Sequence, residues 1–293
     1  MISKRNKDSL INQLIFTGPT IFIFSSVVLL AFAFGIYLTF TNWDGLSSTM
    51  TFAGIKNYAA VITDSKFWTS LGLTVKYVFF TVVIANAMAF FLAYALTTKM
   101  KGRNIARAGF FIPNLIGGII MGVLWRMIFT YILVPIGDQM HWGIFQSSWV
   151  NDEKYAIWAL ITVSVWQSMG YLMIIYVAGF MSVPKDLIEA SAVDGADGFV
   201  KMKKIIMPLM VPSFVICLFI STKGGFMVYD VNRALTDGGP YKSSELISYH
   251  IYQTAFMHQD FGKGQAEALV LFLIVVAVTL TQTYLMKKME VEM

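Results

Sequence analysis

The sequence predicts an all-α, polytopic membrane protein with six transmembrane helices. Three observations carry this. Of the 293 residues, 57% are hydrophobic and only 13% charged, where a soluble domain carries about a quarter charged residues. Apolar runs long enough to cross a bilayer recur along the chain. The basic residues fall between those runs, so the net charge of +5 reads as membrane topology and not as a nucleic-acid surface.

Met1 to Leu10 is polar, with Lys4, Arg5 and Lys7. The run from Leu14 to Phe40 is far longer than a signal-peptide core, and no small-residue cleavage site follows it. It therefore reads as a retained first span. Asn42 to Lys66 is polar and aromatic. The second span covers about Trp68 to Leu96, and the short stretch Thr97 to Arg107 after it is basic. A third span, about Ala108 to Tyr131, contains Pro113 as the expected kink. Beyond a mixed loop, Ile132 to Lys154, the fourth span covers about Tyr155 to Met181. The fifth is about Leu209 to Tyr229 and the sixth about Gln265 to Met286. No internal repeat, low-complexity tract or soluble domain interrupts this pattern. The chain is expected to form one membrane domain, residues 1–293, with polar segments at about 182–207 and 230–264.

Six spans put both termini on one side, and the basic residues decide which. One face holds Lys4, Arg5, Lys7, Lys99, Lys101, Arg103, Arg107, Lys185, Lys201, Lys203, Lys204, Lys287 and Lys288. The loops of the other face hold Lys56, Lys66, Lys154, Arg233, Lys242 and Lys263. The excess predicts that the first face is cytoplasmic. The single cysteine, Cys217, lies inside an apolar run and excludes an intrachain disulfide. His141, His250 and His258 form no metal-ligand pattern with it.

The polar segment from Ser182 to Met207 is the longest connection on that face, and long ordered loops are usually functional. Pro184 suits a first helical turn, with Asp186 and Glu189 near the positive end. Gly195 can take the left-handed conformation that closes such a helix. Asp197 is placed to cap a second helix running through Phe199 and Met202 to Ile206. Ala190, Ser191, Ala192 and Ala196 leave a thin face. From these residues alone the segment is either an ordinary surface helical hairpin or a docking element.

The spacing Glu189-Ala190-x-x-x-Asp194-Gly195-Ala196, followed by Ile205-x-x-Pro208, resembles the "EAA" loop of bacterial ABC importer permeases. Ser191 stands where the family usually has a second Ala, Met202 where it has Phe, and Met207 where it has Leu. These changes are small-for-small and apolar-for-apolar. A second zone, Leu235-Thr236-Asp237-Gly238-Gly239-Pro240, is similar to the Gly-Gly-Pro turn of the sugar-permease branch. Ser244-Glu245-Leu246 then opens an amphipathic helix carrying Ile247, Ile251, Tyr252, Ala255 and Phe256, with His250 in place of the branch's first Tyr. Phe52-Ala53-Gly54-Ile55-x-Asn57-Tyr58 and Phe261-Gly262-x-Gly264 also fit, so the resemblance covers nearly the whole chain.

This resemblance implies the type I ABC importer permease fold in a bacterial inner membrane. It makes Glu189, Ala190, Ser191, Asp194, Gly195 and Ala196 the coupling surface for separate ATPase subunits. It also implies a second, homologous permease as heterodimer partner and an extracytoplasmic solute-binding protein that supplies the sugar or oligosaccharide. ATP and Mg are expected on the ATPase subunits and no cofactor on this chain. In agreement, the chain contains no G-x-x-x-x-G-K-[ST] phosphate loop; Gly262-Lys263-Gly264 has too few residues before its lysine.

No catalytic pair is recognisable, since Asp194 and Asp197 read as a cap and a solvated face, and the chain is not expected to be an enzyme. The polar residues inside the spans are more informative. Ser164, Gln167, Ser168 and Tyr171 share one face of the fourth span. Ser221, Lys223 and the pair Gly224-Gly225 interrupt the fifth, and a Gly-Gly pair can loosen a helix beside a ligand. In the family, the spans on either side of the coupling loop contribute to the translocation cavity. Ser164, Gln167, Ser168, Tyr171, Ser221, Lys223 and Gly225 are therefore candidate cavity residues; interhelical hydrogen bonding is the other role open to them. Asn86 reads as a packing contact. Lys223 has three readings: snorkelling to the surface, an ion pair with Asp230 or a partner carboxylate, or contact with an acidic substrate.

A secondary transporter would need a carboxylate deep in a span, and none is present. Cargo other than sugar, such as glycerol phosphate or an amino acid, stays open within the same family, because the sugar expectation rests on the Gly-Gly-Pro resemblance.

Overall fold

The computed structural model describes residues 15–98 and 101–288; Lys4, Arg5, Lys7 and Lys99 of the charge pattern lie outside them. The described chain is helical nearly throughout, and its extended backbone makes one isolated bridge, Thr41 to Phe52. In order the helices are α1 (Ile15–Leu38), α2 (Lys56–Thr63), α3 (Ser65–Thr97), α4 (Arg103–Leu115), α5 (Gly118–Met140) and α6 (Ala156–Ser182). Then follow α7 (Lys185–Val193), α8 (Gly198–Leu209), α9 (Val211–Phe226), α10 (Asp230–Leu235), α11 (Ile247–Tyr252) and α12 (Phe261–Lys287).

Helices α1, α3, α5, α6 and α12 are each long and apolar enough to cross a membrane. A bent helix pair makes up the count to six and is the fifth span in chain order: α8 and α9 pass the same test together, bent by 69°. Alone, α9 has 16 residues. At 1.5 Å per residue that is about 24 Å, short of a hydrocarbon core of about 30 Å. The corner is Met210, and Pro212 in the first turn of α9 cannot donate back across it, so the helix restarts there. The fifth span is thus shorter than the predicted Leu209 to Tyr229. Gly224-Gly225 does not loosen it, since the helix continues to Phe226.

The third span also differs from expectation. Pro113 stays inside α4, and the break comes three residues later at Ile116-Gly117, where the backbone is extended. The helix then runs on to Met140, well into the stretch expected to be a loop, because Leu133, Val134 and Ile136 continue its apolar character. Close packing accounts for the glycines here. A Cβ on Gly118 would lie 2.7 Å from Asp230 Cβ, and one on Gly122 would lie 2.6 Å from Ala234 Cβ. Helix α10 rests directly on that face of α5.

The described chain forms two compact units. The first comprises Met1–Asp64 and Ile251–Leu271, described from residue 15. Asn57 staples it, donating from Nδ2 to the carbonyls of Thr39 at 2.9 Å and Thr41 at 2.8 Å. Gly262 abuts the same carbonyl, where a Cβ would sit 2.0 Å from Thr41 O. The motifs around Asn57 and Gly262 are therefore packing devices. Lys263 Nζ pairs with Asp64 Oδ2 at 2.6 Å.

The second unit comprises Ser65–His250 and Phe272–Met293. Its core lies where α3 runs along α6, with Tyr77, Leu160, Leu172, Met173 and Tyr176 fully buried. A Cβ on Gly170 would fall 1.8 Å from Phe110 O, so α4 lies with its backbone against α6. Asn86 joins three helices: its Nδ2 donates to Ser221 Oγ at 3.0 Å, and its Oδ1 accepts from Tyr176 Oη at 2.8 Å. This is the packing role its sequence position suggests. Asn232, buried within α10, donates to Ser244 O in the segment that follows at 2.8 Å and accepts from the Leu246 amide at 3.0 Å. That fixes the Asp237-Gly238-Gly239 turn, in which Gly238 is left-handed at φ 74°. Glu245, only 2% exposed, is held between Lys242 at 3.0 Å and His250 at 2.9 Å. Burial alone would push its carboxyl up. The hydrogen bonds from His250 and Lys242 outweigh burial and hold it below the usual carboxylate range.

Candidate substrate cavity and docking loop

Six of the seven candidate cavity residues line one cavity. Its volume is about 210 Å³, and its wall includes Ser164, Gln167, Ser168 and Tyr171 of α6 with Ser221 and Gly225 of α9. Helix periodicity explains the grouping: positions 164, 167, 168 and 171 share one face of α6. Gly225 lets α9 approach α3, since a Cβ there would meet Val78 Cγ2 at 3.0 Å.

Sequence reasoning missed the rest of the wall. Tyr77 and Thr81, four residues apart on α3, and Asn114 near the end of α4 add polar groups; Leu172, Ile220, Gly224 and Val228 complete it. The polar i, i+4 pair inside an otherwise apolar span was the available signal for Tyr77 and Thr81. The hydroxyls of Thr81 and Ser164 are buried without a hydrogen bond. The Tyr77 phenol lies close to both, at a geometry short of a bond. Buried polar groups are nearly always satisfied, so these two hydroxyls and the Tyr77 phenol form one polar cluster in the cavity wall. Gln167 has both of the roles open to it, lining the cavity while its Nε2 donates to Ile116 O at 2.9 Å. Ser221 and Ser168 also satisfy backbone carbonyls of their own helices, Cys217 O and Ser164 O, each at 2.7 Å. No carboxylate, ammonium, guanidinium or imidazole is among the lining groups.

Lys223 stands apart from this cavity. It is exposed, in the last turn of α9, where a cation complements the helix dipole. Among the described residues it has no ion pair, and the proposed pairing with Asp230 across an unwound Gly224-Gly225 is not present.

The loop between the fourth and fifth spans forms the two short helices α7 and α8. Pro184 is the residue before α7 rather than part of its first turn, with Asp186 inside that turn. Gly195 closes α7 at φ 74°, and the Ala196 amide reaches back to Ser191 O at 2.9 Å, a left-handed C-terminal stop. Asp197 Oδ1 accepts from the Val200 amide at 2.7 Å and caps α8. Glu189, Ala190, Asp194 and Gly195 are exposed and Ala196 is half-buried. Ser191 turns inward, 5% exposed, donating to Ile188 O at 2.7 Å. Val193 and Phe199, 88% and 74% exposed, flank the turn and give it an apolar surface.

Residues 85–291 match the family described as binding-protein-dependent transport system inner membrane component. A probable starch degradation products transport system permease protein, AmyD, of Thermoanaerobacterium thermosulfurigenes is 39% identical over 95% of each chain. The multiple sugar-binding transport system permease protein MsmF of Streptococcus mutans is 32% identical over 88% of this chain and 89% of its own. Among solved structures, a bacterial alginate ABC transporter in complex with its alginate pentasaccharide-bound periplasmic protein superposes with a TM-score of 0.80. The match spans 97% of this chain and 96% of that one at 17% identity, and it shows the shared fold. The chain is a multi-pass membrane protein and a transport component, and it belongs to the binding-protein-dependent transport system inner membrane component family.

Proposed function

We propose that this chain is the membrane-spanning permease subunit of an ATP-driven importer and passes an uncharged sugar or oligosaccharide through the cavity between α3, α6 and α9. The observation that carries the reading is the cavity wall itself. It presents hydroxyl and amide groups from Tyr77, Thr81, Asn114, Ser164, Gln167, Ser168, Tyr171 and Ser221, and no charged side chain. Such a wall exchanges hydrogen bonds with sugar hydroxyls while leaving a phosphate or carboxylate without a counter-ion, which is costly away from water. Glycerol phosphate and acidic saccharides are therefore disfavoured as cargo. The names of the starch-product and multiple-sugar relatives support the same class.

In this reading both termini and the α7–α8 loop are cytoplasmic. Glu189, Ala190, Asp194, Gly195 and Ala196 meet ATPase subunits that hold ATP and Mg, and Ser191 fixes the turn beneath them. A second permease completes the pathway as a heterodimer, and a solute-binding protein delivers cargo from outside. ATP binding closes the ATPase pair, the loop moves with it, and the spans tilt to turn the cavity from one face to the other. The cavity holds sugar loosely so that it can leave.

The experiment is uptake of labelled maltooligosaccharide by the intact complex in proteoliposomes containing ATP. Ser164→Ala together with Thr81→Val removes the two hydroxyls at nearly constant volume. Uptake is expected to fall while basal ATP hydrolysis is kept. Unchanged uptake in the double variant, or transport of glycerol phosphate in preference to sugar, would sink the reading.

A further inference from the structure

A second cavity, of about 310 Å³, opens at the corner between α8 and α9. Its wall is Met207, Pro208, Val211, Phe214 and Met286, with Lys203 as its one charged group. Val211 and Phe214 belong to the spanning helix α9, so the apolar wall is continuous with the bilayer region. Lys204 adjoins Lys203 in sequence, and Lys287 and Lys288 follow Met286. All four lysines are exposed. None makes an ion pair among the described residues, and Lys288 Nζ sits 4.5 Å from the ring centre of Tyr284. The acidic residues that follow, Glu290 and Glu292, lie outside the described residues.

An occupant of this site must be apolar on one side and anionic on the other. A soluble anion has no use for the methionine, valine and phenylalanine wall. A plain hydrocarbon surface leaves the cations uncompensated. Basic pockets beside apolar grooves at the membrane interface take lipid headgroups for this reason.

We propose that the groove holds one acyl chain of an anionic phospholipid, with its headgroup on Lys203, Lys204, Lys287 and Lys288, and that this lipid braces the α8–α9 corner. The chain would touch Met207 and Pro208 on one arm of the bend and Val211 and Phe214 on the other. It would thereby tie the docking loop to the span. Placing this lipid in the cytoplasmic leaflet, and calling the loop it braces a docking loop, rest on the proposed function.

The test uses the complete importer in nanodiscs of phosphatidylcholine with or without phosphatidylglycerol, the same lipid in both leaflets, so that sidedness does not decide the outcome. Retained phosphatidylglycerol is counted by native mass spectrometry. A lysine near an anionic surface contributes roughly a factor of five, so Lys203→Ser, Lys287→Ser and Lys288→Ser together are expected to weaken retention on the order of a hundredfold. Phosphatidylcholine retention should not change. Val211→Trp, which fills the groove and leaves the charges, should abolish photocrosslinking of an acyl-labelled phosphatidylglycerol to Phe214 and Met286. Phosphatidylglycerol should raise ATP hydrolysis of the wild type and not of the triple variant. Equal retention in the triple variant, displacement of the lipid by inorganic phosphate, or crosslinks from the groove to another subunit instead of lipid would overturn it. Sugar-stimulated ATP hydrolysis by the wild type in the same discs reads the proposed function separately.

Discussion

Gln167 Nε2 donates to the carbonyl oxygen of Ile116 at 2.9 Å, so a cavity side chain of α6 closes the backbone break that precedes α5. Irregular backbone inside a membrane needs such a partner. Gln167→Leu removes the donor and leaves the acceptor unmatched, at a cost of about 1–3 kcal/mol. The expected outcome is a lower melting temperature of the purified complex together with reduced uptake. Reduced uptake with an unchanged melting temperature would show that the bond to Ile116 contributes no stability.

Gly195 at φ 74° has open space where a Cβ would lie. Backbone conformation alone therefore penalises substitution, by about 1–2 kcal/mol for a residue forced into the left-handed region. Gly195→Val should abolish coupled transport while the protein still inserts. Gly195→Asn, which tolerates that region, should restore much of it. Equal activity of the two variants would contradict a coupling role for this turn.

Lys223 sits in the last turn of α9, exposed and outside the cavity wall. Its long stem lets the ammonium snorkel to water. Lys223→Met is expected to transport neutral sugar nearly as well as the wild type. Loss of uptake in a normally assembled complex would restore the charge to a role in transport.

Sidedness is tested with single cysteines in a Cys217→Ser background. Tyr241 is 92% exposed and reports better than its neighbour Ser243, whose Oγ is buried. A cysteine at Tyr241 should react with an impermeant thiol reagent from outside, and one at Asp197 only from inside. Labelling of both from one side would refute the topology.

Glu245 gives the structure an acid limit. Its carboxyl titrates below its usual 4.5 because hydrogen bonds from His250 and Lys242 outweigh burial. A group depressed on folding contributes stability that is fully present above its unfolded value and is lost as pH falls through the folded one. Glu245→Leu removes the buried carboxylate that His250 and Lys242 share and should cost about 3–5 kcal/mol at neutral pH. Melting curves between pH 7 and pH 3 should show a steep acid loss in the wild type that is weaker in the variant.

Hydropathy made the spans legible because bilayer thickness fixes how many apolar residues a helix needs. Their interruptions were not legible. Pro113 is the residue that composition flags, but the break falls at Ile116-Gly117. There α10 lies against Gly118 and Gly122, and the Gln167 amide is at hand. Those are tertiary contacts with no local signature. The outer end of the fifth span is hidden from hydropathy because Met227 to Tyr229 stays apolar after the helix has ended, and that places Lys223 nearer the surface than the predicted span does. The cavity residues of α6 could be read from their spacing alone. Tyr77 and Thr81 carry the same i, i+4 signal more faintly, because a tyrosine and a threonine in a long apolar run look like ordinary packing until a second helix brings Ser164 beside them.

The absence of charge from the cavity wall has an electrical consequence. Carrying one elementary charge through the membrane field costs or yields about 2.3 kcal/mol per 100 mV. A wall of hydroxyls and amides that faces first one side and then the other moves no charge through that field, and neither does a neutral sugar. In the proposed cycle the cavity wall itself then adds no voltage-dependent work. Any sensitivity of uptake to membrane potential would have to come from charges elsewhere in the spans, such as Lys76 of α3 or Arg126 of α5.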